Sequence, residues 1–280
     1  MSSTADNIDQ ATVDGFGAEW DAFDQMLLDP IEHKRLFDDY FSVFPFERLP
    51  PDAEGFDLGC GSGRWAALMQ PLVGTLHCID PSPKALSVAE RRLGTNSNVR
   101  FILANTDTIP LADGSQDFGY SLGVLHHIPD TARAMKDCTK KLKPGAPFLV
   151  YLYYRFDNRP VWFRQLWRTS EIGRGAISRL PFPLRKAVTS VIGATVYWPL
   201  ARTAGLLERA GRNVSSFPLS SYRNCGFYTM RTDALDRFGT RLEQRFTRAE
   251  ITDMMTCAGL TDITFRESEP FWVACGRRAG

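Results

Sequence analysis

From residue 53 to 154 the chain alternates short apolar runs with amphipathic ones, the pattern of strand–helix–strand repeats that build a parallel sheet. The apolar runs predict strands at 53–58 (AEGFDL), 74–79 (GTLHCI), 99–104 (VRFILA), 117–122 (DFGYSL) and 146–153 (APFLVYLY). Helices fall between them. Ser82 and Pro83 place a capping hydroxyl and a first-turn proline ahead of KALSVAERRL; Asp130 caps TARAMKDCTKKL, and Lys143-Pro144-Gly145 stops it. The pattern breaks off at Arg155 and resumes late, where Thr247 and Glu250 form a capping box for a helix ending at Gly259, followed by strands near TDITFRE and PFWVACG. Between these stretches, roughly Phe156 to Arg245, lies a long irregular region rich in arginine, aromatics and proline. Ahead of the sheet, residues 1–14 read as disordered, and Phe16 to Phe44 as one or two amphipathic helices bearing Trp20, Phe23, Leu36, Tyr40 and Phe41.

Composition allows this architecture and narrows its partners. The chain has 280 residues, 44% hydrophobic and 23% charged, enough for a sizeable core without covalent staples. The net charge of +1 carries no footprint of a general nucleic-acid binder, so any basic surface is local. The start, MSSTADNIDQ, lacks the basic and apolar regions of an export signal, and no stretch has the ~18 apolar residues of a membrane span. A soluble, cytoplasmic protein is expected, its six scattered cysteines reduced. Of the four histidines only His126 and His127 cluster, and since sequence neighbours point apart in a helix or strand, no metal site is expected. Charge is concentrated at 155–212, where eleven arginines and lysines face three acids; within it AVTSVIGATVYWPLA (187–201) is uncharged but too short to span a bilayer.

The segment FDLGCGSGRW (56–65) carries the chemistry. It ends a strand, places Gly59, Gly61 and Gly63 at alternate positions and opens a helix. Glycine permits positive φ and removes the Cβ that would hold a ligand off the backbone, and the carboxyl end of the first strand is where an open α/β sheet binds its ligand. Arg64 stands where a dinucleotide fingerprint needs glycine or alanine, and no Gly-Lys-Ser/Thr supplies a phosphate loop. Asp57 lies two residues ahead of Gly59. Asp80, 23 positions after Asp57 and beside Pro81, suits a carboxylate that accepts both ribose hydroxyl protons; its other reading, a helix cap, is weakened because Ser82 already supplies one.

An acidic residue two positions before GxGxG resembles motif I of the class I S-adenosylmethionine-dependent methyltransferases, in particular the quinone-biosynthesis-type (type 11) group. The resemblance implies that Asp57 meets the methionine amino group and that the backbone of Gly59, Cys60, Gly61 and Gly63 passes beneath the adenosine. The cofactor suits such a loop, since it offers an ammonium group and no phosphate that demands a helix N-terminus. NVRFILANTDTIPLADGSQDFGYSLGVLHHIPD (98–130) resembles the family's third and fourth strands. There Asn105 stands where relatives use Asp to bind the adenine amino group; its amide oxygen still accepts, and Thr106 offers its backbone amide to the ring. Leu122 and Gly123 fall beside the transferring methyl group, and LKPGAPFLVYLYY (142–154) resembles the turn and fifth strand that follow. The resemblance covers 56–154 and 246–275. It implies a doubly wound, Rossmann-like α/β sheet of seven strands, mostly parallel with an antiparallel closing strand, at 45–155 and 246–280; the chain's own pattern adds a tail and helical cap at 1–44 and an arginine-rich helical lid at 156–245.

Methyl transfer from a sulfonium is a direct displacement that needs collinearity, exclusion of water and only sometimes a base. Either His126 or His127 deprotonates a hydroxyl, or, the commoner role, LHHIP simply closes the strand below the cofactor. Tyr153 and Arg155, at the end of the fifth strand, are substrate-contact candidates. So are Tyr222, Arg223 and Tyr228, which the sequence gives no structural duty, whereas Asp233 and Arg237 have the spacing of a helical ion pair. Trp20 either shields the cofactor as a flap or faces a core from an amphipathic helix. The basic insertion covers an anionic small substrate, rests on an anionic membrane and meets a lipid-like one, or is an ordinary amphipathic insertion with solvated arginines. The expected function is methyl transfer to a small molecule, oxygen being the preferred acceptor because it is frequent in similar enzymes. Competing readings are an enzyme that uses bound S-adenosylmethionine without transferring its methyl, and a noncatalytic module that binds the cofactor or a partner. Oligomeric state is not readable from the sequence.

Overall fold

Side chains alternate across a strand, and a sheet covered on both faces needs apolar residues at successive positions. The computed structural model, which describes residues 6–280, has seven such strands: β1 (Glu54–Leu58), β2 (Thr75–Asp80), β3 (Val99–Leu103), β4 (Phe118–Leu122), β5 (Pro147–Tyr151), β6 (Leu260–Phe265) and β7 (Val273–Arg278). They form one sheet in the order β3-β2-β1-β4-β5-β7-β6. β1 to β5 are parallel, and β7 runs antiparallel to both β5 and β6. The seven strands and the antiparallel closing strand are as the sequence implied. On β5, Phe148 and Val150 join a core with Leu125, Met135 and Ile251, while Leu149 joins another with Phe41, Trp65 and Tyr120. Each large side chain buried this way stabilises the sheet by roughly 1.5–3 kcal/mol.

The helices are α1 (Gln10–Ala22), α2 (Pro30–Tyr40), α3 (Ala66–Met69), α4 (Pro83–Leu93), α5 (Thr131–Lys141), α6 (Val161–Ile177), α7 (Phe182–Ile192), α8 (Trp198–Arg209), α9 (Phe227–Gly239) and α10 (Arg248–Cys257). Their starts follow the capping chemistry in the sequence. Ser82 accepts from Ala85 N–H and Asp130 from Arg133 N–H, and Thr247 and Glu250 cap each other reciprocally. The stretch 1–14 differs from expectation: its first five residues lie outside the described ones, but Asn7 is buried and Asp9 caps α1 by accepting from Thr12 N–H at 2.8 Å.

The chain forms two compact units, one comprising 36–155, 242–280 and the described residues up to Asp24, the other 25–35 and 156–241. The first contains the sheet with α1, α3, α4, α5 and α10, and the proposed cap at 1–44 contributes to both. The second corresponds to the stretch that looks irregular in composition and was expected to be a helical insertion. It is helical, with α6, α7, a π-helical turn at Gly193–Tyr197, α8 and α9. Its buried core is small, built around Tyr197, Ala201, Met230 and Ala234.

Candidate active site

Sheet order reverses between β1 and β4, and the carboxyl ends of strands at such a switch point are where an open α/β sheet binds its ligand. β1 leaves the sheet through Gly59, Gly61 and Gly63, at φ of 75°, 55° and 71°. This left-handed backbone costs roughly 1–2 kcal/mol per residue for any side chain with a Cβ. The Gly59 and Cys60 N–H groups both donate to the Ile79 carbonyl, at 2.7 and 3.2 Å, which holds the loop against the end of β2. Asp80 completes the tie, accepting from Gly61 N–H at 3.0 Å and from Ser82 N–H at 2.8 Å. A carboxylate has about four acceptor sites, so two remain after these bonds. Burial pushes Asp80 up to about 6, and the two backbone donors pull against it.

Register sets Asp57 between Cys78 of β2 and Tyr120 of β4 on one face of the sheet. There it is 1% exposed. Burial pushes its carboxyl up to about 8, with the Tyr120 hydroxyl lowering it and Asp80 raising it. Tyr120 lies close enough to act on the charge, yet neither its hydroxyl nor Asp57 Oδ2 closes a hydrogen bond of normal geometry. Cys60, also buried, is held as a thiol by its hydrogen bond to Cys78 and by burial.

The remaining strand ends complete the arc. Asn105 behaves differently from the expectation that its amide oxygen accepts from adenine. Oδ1 instead accepts from Asp107 N–H at 2.9 Å and from the Thr108 hydroxyl at 3.0 Å, capping the 3-10 turn Thr106–Thr108 and leaving the NH₂ group as its means of meeting a ligand. Thr106 is buried with a hydroxyl that meets no partner among the described residues. At the end of β4, Leu122 is 8% exposed, and Gly123 turns at φ 77° with open space where a Cβ would lie. Pro81 sits half-buried beside Asp80. A buried carboxyl oxygen that closes no hydrogen bond of normal geometry among the described residues, two open acceptor sites on Asp80 and a side-chain-free loop fit a ligand that carries an ammonium group, a ribose and no phosphates.

Residues 56–150 match the model of a family described as "Methyltransferase domain". This stretch of the chain is a methyltransferase domain. Its relatives include demethylmenaquinone methyltransferase of Bacillus licheniformis, 25% identical over 144 residues, which covers 45% of this chain and 60% of that protein. Another is 27-O-demethylrifamycin SV methyltransferase of Amycolatopsis mediterranei, 22% identical over 72% of this chain and 68% of its own. The chain thus spans less than two thirds of the length of the first of these. In fold it is similar to human N-acetylserotonin methyltransferase solved with S-adenosylmethionine, with a TM-score of 0.54 and 16% identity over 94% of this chain and 57% of that one. S-adenosylmethionine is the cofactor of the family.

In the methyltransferase domain the two histidines occupy a 3-10 turn, Leu125–His127, and their rings lie 4.0 Å apart. The expectation that they point apart assumed an α-helix or strand, whose side-chain angles this tighter turn does not share. Among the described residues no group of three metal-ligating side chains converges. His126 is wholly buried and stacks on Tyr153 at 3.9 Å. Its Nδ1 accepts from Tyr153 N–H at 3.4 Å, which puts the proton on Nε2, and burial together with the neighbouring His127 holds its pKa well below the usual histidine range. His127 has the opposite tautomer: Nδ1 donates to the Leu242 carbonyl at 2.7 Å, so the lone pair is on Nε2.

The sequence reading missed Glu243 and Arg245. An isolated bridge between Tyr154 and Phe246 draws residues 242–246 to the end of β5. The two side chains form an ion pair at 2.7 Å, Glu243 1% and Arg245 10% exposed, with the Arg245 guanidinium 5.1 Å over the Tyr153 ring. Burial lowers the Arg245 pKa, Glu243 with Tyr153 and Tyr151 raises it, and the net shift is upward. Nothing in EQRF distinguished this arginine from its neighbours; only the bridge selects it. Arg155, a substrate candidate, turns to α10 instead and bonds Glu250 at 2.9 Å and the Arg245 carbonyl.

α1 and the residues just ahead of it touch all four loops of the arc. Asn7 exchanges two hydrogen bonds with the backbone of Asp130, both 2.8 Å, and its N–H donates to Asp107 Oδ2 at 2.7 Å. Phe16 packs on His127 with ring centres 4.8 Å apart, and Trp20 lies so near Gly61 that a Cβ there would be 2.9 Å from the indole nitrogen.

In the helical unit, the three other substrate candidates have structural duties after all. Tyr222 packs its ring on Tyr197 at 5.4 Å, Arg223 pairs with Glu208 at 2.9 Å, and the Tyr228 hydroxyl accepts from Gln25 N–H at 3.0 Å. Arg237, spaced to pair with Asp233, binds Glu171 of α6.

Proposed function

We propose that this chain transfers the methyl group of S-adenosylmethionine to a hydroxyl of a small molecule. The observation that carries the reading is the joint placement of Asp57 and Asp80 around the Gly59–Gly63 loop, each with acceptor capacity that the protein itself does not use. When bound, the cofactor supplies a methyl group activated by its sulfonium. Asp57 would hold the ammonium end and Asp80 the ribose, with Asn105 and Thr106 at the adenine. The loop is held by the protein's own Ile79 carbonyl and Asp80 carboxylate, which pre-organises it for that task.

His127 is the group we assign to remove the acceptor proton, because its tautomer leaves a basic Nε2 while that of His126 does not. The role of His126 is to support Tyr153, over whose ring the guanidinium of the Glu243-paired Arg245 also lies. An oxygen acceptor is supported by the relative from Amycolatopsis, whose name places its reaction on a 27-O position and whose match covers 72% of this chain. A cytoplasmic location is supported by six cysteines that are all unpaired.

Incubation with methyl-labelled S-adenosylmethionine and a panel of phenols, hydroxy acids and amines should release S-adenosylhomocysteine with phenols or hydroxy acids and not with amines alone. Transfer confined to amines or carbon acceptors would reject the oxygen assignment. Calorimetry with S-adenosylhomocysteine and with NAD tests the cofactor independently, and binding of NAD alone would reject the whole reading.

A further inference from the structure

In the helical unit the usual sidedness of surface helices is inverted. α6 is seventeen residues long and buries none of them fully, yet Val161, Trp162, Leu166 and Ile172 are 53–79% exposed. Its one acid, Glu171, is turned inward onto Arg174 and Arg237. From Pro183 to Thr203, through α7, the π turn and the start of α8, none of the exposed residues is charged. Leu184 is 51% exposed and Val191 59%, and Trp198 and Phe227, both partly exposed, meet edge to face at 5.8 Å. A solvent face without charge over three helical segments is larger than the scattered apolar side chains of an ordinary surface.

Charge complementarity names the occupant. The unit's residues include sixteen lysines and arginines against seven acids. Arg168, Arg179, Arg209 and Arg212 are exposed near the apolar stretches. Arg202 lies 4.0 Å over the Trp198 ring, so a cation accompanies the aromatic. Apolar side chains and tryptophans flanked by arginines that outnumber the exposed acids, here Asp157 and Glu208, are what an anionic bilayer surface binds, the apolar groups entering the acyl boundary and the cations meeting headgroups. A second copy of the same face would bring like charges together. Among the described residues no helix is long and apolar enough to cross a membrane, so contact would be peripheral.

We propose that the α6–α8 face of the helical unit seats the protein on an anionic lipid surface. The inference goes beyond methyl transfer and stands or falls without it.

The test is flotation of the full-length protein with vesicles of phosphatidylcholine alone and of phosphatidylcholine with phosphatidylglycerol. Binding is expected to the anionic vesicles, weaker with added salt and weak on phosphatidylcholine alone. Leu184→Asp with Val191→Asp changes only exposed side chains and should lower the bound fraction on the order of tenfold or more, and Arg168→Gln with Arg179→Gln by a similar factor. Circular dichroism and affinity for S-adenosylhomocysteine should stay unchanged in both variants. Absence of binding to anionic vesicles, or binding unaltered by Leu184→Asp with Val191→Asp, would overturn the proposal. So would light scattering that shows a dimer which this double variant makes monomeric, since the face would then join two copies.

Discussion

Asp57 is a carboxyl placed where water does not solvate its charge, and its function and its stability therefore oppose each other. Its folded pKa of about 8 lies above that of an unfolded aspartate. For an acid with a raised folded pKa, the native state holds the extra proton, so stability falls as pH rises from about 4 to about 8, by on the order of 1 kcal/mol per pH unit. Asp57→Asn should accordingly raise the midpoint of thermal unfolding of the ligand-free protein at pH 8, with little effect near pH 4, while abolishing measurable affinity for S-adenosylhomocysteine. A lower midpoint at pH 8 would contradict the assigned burial effect. The same shift predicts that cofactor binding between pH 6 and 8 releases a proton, because an ammonium partner favours the ionised carboxylate; calorimetry in buffers of different ionisation enthalpy measures it. His127→Gln should lower kcat on the order of a hundredfold or more and leave affinity for S-adenosylhomocysteine within a few-fold, whereas His126→Gln, which changes a buried stack, should act mainly on stability.

At the scale of elements, α1 is the part whose position the rest of the site depends on. It holds a glycine, Gly17, inside a helix, where glycine costs roughly 1 kcal/mol relative to alanine. The close approach explains it: a Cβ at that position would fall 2.4 Å from Ser82 Oγ. One end of the helix is fixed by Asn7 on Asp130 and Asp107, and Trp20 lies on Gly61. Asn7→Ala should therefore speed hydrogen exchange over residues 10–22 and accelerate dissociation of S-adenosylhomocysteine by about tenfold, the equivalent of roughly 1.4 kcal/mol of lost hydrogen bonding. Unaltered exchange would show that Asn7 does not anchor α1. Of these contacts the sequence carried only fragments. Trp20 as an aromatic at helical spacing was visible, but the cap Asp9 falls in a stretch that reads as disordered, and Asn7 and Asp130 are 123 residues apart with no local pattern to join them.

For the whole molecule, a net charge of +1 conceals a segregated distribution: the helical unit carries a surplus of nine positive charges, and the rest of the chain carries the balancing acids. The binding residues proposed for the cofactor all lie in the sheet unit. Calorimetric scans should then resolve two transitions, with S-adenosylhomocysteine at a hundred times its Kd stabilising only the sheet unit, by about 2.7 kcal/mol; a single transition that shifts as one would indicate that the units unfold together. The sequence by itself determined the strands, the caps of α4, α5 and α10, and the loop that names the cofactor. These rest on local rules: period-two alternation, a hydroxyl or carboxylate ahead of a helix, and glycines where the backbone turns through positive φ. Only the tertiary structure decided that β7 enters between β5 and β6, that Asp57 lies between Cys78 and Tyr120, that Glu243 and Arg245 reach Tyr153, and that Tyr222, Arg223 and Tyr228 hold the helical unit together. Each of these joins residues distant in sequence, and which distant residues meet depends on sheet register and on which faces are buried, quantities set by packing the whole chain at once.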